Sequence, residues 1–248
     1  NKGWTGGNNA GIEYSINQAA DIIVLSNNDI IIEDNALISK MASTITSNRK
    51  LGILAPLVYS VSPDSKLMTS GWNHFSKIEN RNNIFNLFRK SAPIPNTNTI
   101  KYVDSVSGCF MAITKELVST IGFLDDNFFM YSDDVEYCFR AWVNGFYCAT
   151  DYSIIVNHYG SASSIKGSPF KVYYQTRNYL YFLQKHKGVI NNYNLFYRKH
   201  LISITKMPLK ILFKKEIYSG RIIDLFKSYI SAILDVYIFK KMGKSKLF

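Results

Sequence analysis

Several absences narrow the field before any motif is read. No apolar run reaches the ~20 residues that a helix needs to cross a bilayer, and no secretory leader pattern opens the chain. Only three cysteines occur, Cys109, Cys138 and Cys148. They show no CxxC spacing and cannot all pair, so the simplest reading is a reduced compartment with small buried thiols. No internal repeat is found, which excludes a solenoid or propeller. An initiator Met is missing as well: Asn1 stands within a Gly/Asn-rich stretch. Acids are outnumbered, 18 Asp/Glu against 29 Lys/Arg.

What is present fits a folded chain of 248 residues, 47% hydrophobic and 19% charged, long enough to bury one full core plus an appendage. The positive excess is local. Residues 195–248 hold 12 Lys/Arg against 3 Asp/Glu, whereas the first 194 hold 17 against 15. An anionic surface, membrane or nucleic acid, is the partner such a tail predicts.

Asn1–Gly11 reads as a loop and Gly11–Ala20 as a short helix. Ile22–Ser26 is a continuous apolar run, the mark of a strand buried on both faces, and it leads to Asn27-Asn28-Asp29. Asp34 is a plausible N-cap for a helix through Ser47, and Ile53–Tyr59 reads as the next strand. Helix, strand, helix, strand predicts an α/β sandwich with parallel strands. Ser60–Thr99, polar and Asn-rich, reads as an insertion. Strands are expected at Tyr102–Val106, Phe110–Ile113 and Ile154–His158. Helices are expected at Lys115–Ile121, closed by Gly122, and at Asp133–Val143, where Val135, Cys138, Phe139 and Trp142 form an apolar stripe. From Tyr173 onward the pattern is helical. One face carries Ile222, Leu225, Phe226, Tyr229, Ile233, Val236 and Tyr237; the other carries Asp224, Lys227, Ser228, Ser231 and Asp235.

Three clusters can carry chemistry. Asn27–Asp29 ends a buried strand, where open α/β sheets bind ligands, and a carboxylate there can hold Mg²⁺ or Mn²⁺; a plain Asx turn competes with that reading. Asp133 and Asp134 open a helix, where acids serve either as caps or as a general base. His158 follows a strand and precedes a Gly/Ser segment that can face an anion.

Taken together and in order, the segments NKGWTGGNNAGI, VLSNND, VSGCFMAITKELVSTIGFLDDNFFMYSDDVEYCFRAWVNG and NHYGSAS, followed by Tyr174-Gln-Thr-Arg-Asn178, give a specific pattern over residues 1–185. It resembles the family 2 glycosyltransferases of the GT-A fold, and within them the rhamnosyltransferase-like branch. The resemblance implies a Rossmann-like, mostly parallel sheet flanked by helices. The first strand and nucleotide-base pocket would precede Asn1, so the fragment alone is expected to be inactive. The domain would span residues 1–190, and a basic tail of amphipathic helices residues 191–248.

It further implies an inverting transfer of a sugar, rhamnose among the candidates, from a nucleotide-sugar donor to a lipid-linked or polysaccharide acceptor. In those terms Asn27, Asn28, Asp29, Gly7, Asn9 and Arg177 fall on the donor side. Gly108 and Cys109 lie by the acceptor, Asp29 and His158 bind Mg²⁺ or Mn²⁺, and Asp134, with Asp133 beside it, is the catalytic base. Asn27 departs from the pattern by replacing an acid, and Asp133 by standing where Glu is usual.

A lipid-linked acceptor suits a peripheral protein on the inner face of the plasma membrane. Lys206, Lys210, Lys214, Lys215, Lys240, Lys241, Lys244 and Lys246 would meet anionic lipid there, or else merely solvate a packed helix. The competing readings are a metal-dependent phosphoesterase, a catalytically inactive scaffold and a nucleic-acid-binding basic protein. No recognised nucleic-acid motif accompanies the lysines, so no nucleic acid is expected.

Overall fold

The structure, a computed structural model, describes residues 2–61, 65–71, 99–160, 167–189 and 221–245. Most of the Ser60–Thr99 insertion, Ser161–Ser163, and Lys206, Lys210, Lys214, Lys215 and Lys246 lie outside the described residues. The chain divides into two compact units: Trp4–Asp125 with Asp133–Gly160, and Asn1–Gly3 with Asp126–Ser132 and Ser161–Phe248.

The first of these is a sheet with helices on both faces. Its strands are β1 (Ile22–Ser26), β2 (Ile30–Ile31), β3 (Leu51–Ser60), β4 (Leu67–Thr69), β5 (Ile100–Val103), β6 (Phe110–Thr114) and β7 (Tyr147–His158). They run in the order β1-β6-β3-β7-β2, with β4 added to β3 and β5 to β7. β3 reads Leu-Gly-Ile-Leu-Ala-Pro-Leu-Val and is buried throughout those eight residues, because alternate side chains feed two separate cores. Ile53 packs with Met111, Ile113, Leu117 and Tyr137 on one face. Leu54 packs with Ala112 and with Leu37, Met41 and Ile45 on the other. The helices on the first face are α1 (Gly3–Asn17), α3 (Lys115–Ile121) and α4 (Asp133–Val143); α2 (Leu37–Thr46) covers the second.

The α/β class and the flanking helices are as the sequence predicts, but strand direction is corrected. Among the described strands only β3 and β7 run parallel; the other pairings are antiparallel. β6 is reversed because the chain enters it beside the carboxyl end of β1, with Ser26 opposite Phe110 and the Asn27 N–H donating to the Cys109 carbonyl at 2.8 Å. The N-terminal loop is a second correction: α1 starts at Gly3, so helix replaces most of Asn1–Gly11. Burial of Thr5, Gly6 and Ile12 outweighs the poor helix propensity of its glycines. Asp34 caps the turn ahead of α2 through Ala36 N–H at 2.8 Å, and the helix itself begins at Leu37.

α3 and α4 follow the sequence closely. The Thr114 hydroxyl accepts from Leu117 N–H, and Gly122 closes α3 with φ of 78°. In α4 the fully buried Glu136 takes Arg140 Nε on both its oxygens at 3.0 Å, and the guanidinium also donates to the Ile121 and Phe123 carbonyls.

The other unit pairs α5 (Pro169–Lys185) with α6 (Ile222–Tyr237). Val172 meets Leu225 and Tyr229, while Tyr173, Tyr174 and Ala232 enclose Phe129. The α6 face is corrected by two residues: Ser228 is buried with the stripe, and Tyr237 turns outward. Within this unit Phe129, Tyr131 and Ser132 all have φ between 62° and 69°, a conformation costing on the order of 1–3 kcal/mol at each non-Gly position. It is held by Asn178, whose amide nitrogen donates to the carbonyls of Phe128, Met130 and Tyr131 at 2.6–2.9 Å.

Candidate functional site

The carboxyl ends of β1 and β7 and the amino end of β6 meet at one edge of the sheet unit. The β2–β7 ladder sets the register there: Ile30 faces His158, so Asp29 comes beside the imidazole. Tyr159 N–H donates to the Asp29 carbonyl at 3.1 Å and locks that turn. His158 Nε2 lies 2.9 Å from Asp29 Oδ1, with side chains 11% and 26% exposed. Asn27 Nδ2 approaches the same ring nitrogen at 3.5 Å, and Asn28 is exposed.

The other half of the edge is built around Gly108. Its N–H donates to Asp134 Oδ2 at 3.0 Å, while Val135 N–H donates to Oδ1 at 2.8 Å. Asp134 is thereby aimed and held in the first turn of α4, where the helix dipole favours an ionised carboxylate. A Cβ on Gly108 would stand 2.7 Å from Trp4 Cη2 and 3.2 Å from Asp134 Cβ, so only glycine lets indole and carboxylate approach from both sides. Cys109 is buried, and burial pushes its thiol up from the ordinary value, with a smaller push from Asp134; it is a poor nucleophile.

Trp4 is the residue that sequence reasoning missed. Its ring covers Gly108, and its Nε1–H donates to Asn27 Oδ1 at 2.9 Å. A chain of contacts thus runs from Asp134 through Gly108, Trp4, Asn27 and His158 to Asp29. The signal was in view: a large aromatic amid Gly3, Gly6 and Gly7 at the start of the chain, where nothing local calls for one.

Asp133 behaves differently from its neighbour. It is 5% exposed, and its Oδ2 has no hydrogen-bond partner among the described residues. Burial, and then the charge of Asp134, push its carboxyl well above the usual carboxylate range. A second negative charge beside Asp134 is thereby disfavoured.

The remaining predicted residues are placed as follows. Asn9 donates to the Leu124 carbonyl at 2.9 Å and accepts from Leu124 N–H at 3.0 Å, fixing the Gly122–Asp125 turn to α1. Gly7 is exposed, and a Cβ there would meet nothing within 4 Å. Arg177 belongs to the other unit and is 1% exposed. Its guanidinium donates to the carbonyls of Asn127, Phe128 and Gly243 and lies over the Tyr174 ring at 4.8 Å.

Among the described residues no group of three or more His, Cys, Asp or Glu could hold a metal ion. Asp29 and His158 supply one hard oxygen and one imidazole nitrogen. That set fits Mg²⁺ or Mn²⁺ only when phosphate oxygens and water complete the coordination, which is the usual way such ions sit at diphosphate sites. No helix among the described residues is long and apolar enough to cross a membrane.

The chain has the GT-A fold, a mixed sheet covered on both faces, with its acid-bearing turn at the carboxyl end of β1. No family model matches the chain. Among characterised proteins it is similar to the low-salt glycan biosynthesis hexosyltransferase Agl10 of Haloferax volcanii, 28% identical over 148 residues. That match covers 57% of this chain and 43% of the relative, so it spans less than half of the relative's length. Among solved structures, GalNAc-T7 with UDP, GalNAc and Mn²⁺ aligns with TM-score 0.50 at 14% identity, covering 89% of this chain and 41% of the other. The mannosyltransferase PcManGT from Pyrobaculum calidifontis, in complex with GDP-Man and Mn²⁺, aligns with TM-score 0.48 at 11% identity, over 93% of this chain and 60% of that one.

Proposed function

We propose that the chain belongs to the catalytic domain of a metal-dependent inverting glycosyltransferase. It would move a hexosyl or deoxyhexosyl unit, rhamnose included, from a nucleotide sugar to a lipid-linked or polysaccharide acceptor in cell-surface glycan synthesis. One observation carries the reading: a carboxylate–imidazole pair, Asp29 and His158, and an oriented carboxylate, Asp134, share one sheet edge on either side of Trp4 and Gly108. The hexosyltransferase relative supports the class, and the Mn²⁺ in the GalNAc-T7 structure supports the cofactor.

In this reading Asp134 takes the proton of an acceptor hydroxyl lying near Gly108 and Cys109. The freed oxygen attacks the anomeric carbon from the face opposite the leaving group, and the bond to the nucleoside diphosphate breaks with inversion. A divalent cation on Asp29 and His158 would supply charge neutralisation for the departing diphosphate. Burial and the neighbouring Asp134 push the Asp133 carboxyl well above the usual carboxylate range, which disfavours a second charge beside the base.

Membrane contact belongs to the same proposal. On α6, Ile223, Ile230 and Tyr237 recur every seven residues and are 58%, 49% and 38% exposed, and Lys227, Lys240, Lys241 and Lys244 are exposed around them. Such a face suits an anionic headgroup region, each lysine adding about 1 kcal/mol near the surface. It fits a cytoplasmic protein peripheral on the plasma membrane. The deciding experiment is a donor screen that follows nucleoside diphosphate release from each sugar nucleotide with Mn²⁺ and a lipid-linked acceptor. Release with a single donor, abolished by EDTA, is the expected outcome; no release from any donor by the full-length protein would refute the reading.

A further inference from the structure

We infer that Trp4 fixes the Asn27 amide with its nitrogen outward, so that Asn27 serves as a hydrogen-bond donor to a diphosphate oxygen and not as a metal ligand. The inference rests on the transferase reading. It starts from an asymmetry of the two side chains: an indole N–H can only donate, whereas an amide has one accepting and one donating end. The atom 2.9 Å from Trp4 Nε1 is therefore the Asn27 oxygen; the flipped amide would set two donors against each other. Trp4 cannot readily turn away, since its ring lies over Gly108 at a distance that excludes even a Cβ.

With the oxygen so engaged, the Asn27 nitrogen faces the Asp29–His158 pair, 3.5 Å from His158 Nε2. That separation is at the limit of a hydrogen bond, while the 2.9 Å contact of the same nitrogen with Asp29 is well inside it. Whether Nε2 donates to Asp29 or turns its lone pair to a cation held there, it does not also accept from Asn27, so the Asn27 N–H remains suited to an acceptor supplied by a ligand. An amide nitrogen has no lone pair to offer a cation, but it matches a phosphate oxygen. The neutral residue in place of an acid thus changes the job of the position, from ligating a cation to binding the anion. Trp4 is the positioning residue that enforces the change.

The test separates the two jobs on the 248-residue chain. Mn²⁺ alone is titrated by electron paramagnetic resonance, and inorganic pyrophosphate is titrated calorimetrically at saturating Mg²⁺. Trp4→Phe keeps a ring over Gly108 and removes the donor; Asn27→Ala removes the amide. Both variants are expected to bind Mn²⁺ within about twofold of wild type and pyrophosphate roughly 10–100-fold more weakly, the value of one hydrogen bond to a charged group. Asp29→Ala should lose at least about tenfold in Mn²⁺ affinity. A general loosening of the fold would lower both affinities together, so the split is diagnostic. A tenfold loss of Mn²⁺ affinity in Asn27→Ala, or unchanged pyrophosphate binding in both variants, would overturn the inference. Failure of the wild-type chain to bind pyrophosphate would overturn it too. Pyrophosphate binding with the expected split, but no turnover of any sugar nucleotide by the full-length protein, would sink only the transferase reading.

Discussion

Two of the polar networks among the described residues, one in each unit, end in different places. Around Arg177 and Asn178, side-chain donors terminate on main-chain carbonyls: those of Asn127, Phe128, Met130, Tyr131 and Gly243. At the sheet edge the chain of contacts runs side chain to side chain, from Trp4 through Asn27 and His158 to Asp29. The first network closes on the backbone and holds a left-handed segment in place. The second ends in a nearly buried imidazole and a part-exposed carboxylate. A network that closes on carbonyls stabilises the fold, and one that ends on ionisable groups awaits chemistry.

Substitutions should therefore separate activity from stability. The largest effect is expected at Asp134: Asp134→Asn should lower transfer by about 10²–10⁴-fold, the range of general-base catalysis, with the urea midpoint unchanged. Unchanged transfer in the full-length protein would remove Asp134 from the role of base. In the other network Arg177→Met should cost roughly 3 kcal/mol of unfolding free energy, because the Gly243 carbonyl and the Tyr174 ring lose their cation. Activity per folded molecule should hold. If stability held and nucleotide affinity fell instead, Arg177 would be a phosphate ligand, and the contrast between the networks would fail.

Gly108→Ala tests the hinge between the two halves of the site. The added methyl group meets Trp4 ring carbons at 2.7 and 2.8 Å and Asp134 Cβ at 3.2 Å. About 1–2 kcal/mol of destabilisation is expected from overpacking, and transfer should fall further than that loss accounts for, since Asp134 also accepts from Gly108 N–H. Denaturation and initial rates on the same preparation give both numbers. A variant that keeps full activity would show that the indole can yield, and would weaken the role given to Trp4.

Much of this was legible in the sequence, for identifiable reasons. The apolar run Ile22–Leu25 reads as a strand, though it is less enclosed than its composition predicts, with Ile23 and Leu25 buried and Ile22 and Val24 half-buried, and the stripe of α4 repeats at helical spacing, so Asp29 and Asp134 fall at element ends on the sequence alone. Strand direction was not legible. Nothing local tells Phe110–Thr114 to run against β1, since that choice is made by where the Ser107–Cys109 turn returns to the sheet. The helix at Gly3–Asn17 was hidden by its glycines, whose weak propensity is overridden by tertiary burial. The link from Trp4 to Asn27 spans 23 residues, and no periodicity reports a contact of that kind. Arg177 shows the opposite limit, because a sequence cannot tell a cation held by carbonyls from one held for a phosphate.

The smallest expected effect concerns Asp133, which sits beside the proposed base yet belongs by its surroundings to the fold. Its carboxyl is pushed well above the usual carboxylate range, by burial first and by Asp134 second. In the unfolded chain it would titrate near the ordinary value of about 3.9. Between those two values the native state holds a proton that the unfolded state has released, so the unfolding free energy falls as pH rises through that window. The contribution is absent below the unfolded value and levels off above the folded one. Asp133→Asn keeps the shape, cannot ionise, and should flatten that decline, so its advantage over wild type grows from pH 4 toward neutrality. Urea midpoints of both proteins across that range make the comparison. A variant that loses stability equally at every pH would mean that the Asp133 oxygens make hydrogen bonds an amide cannot replace, and the acid would then belong with the site and not with the core.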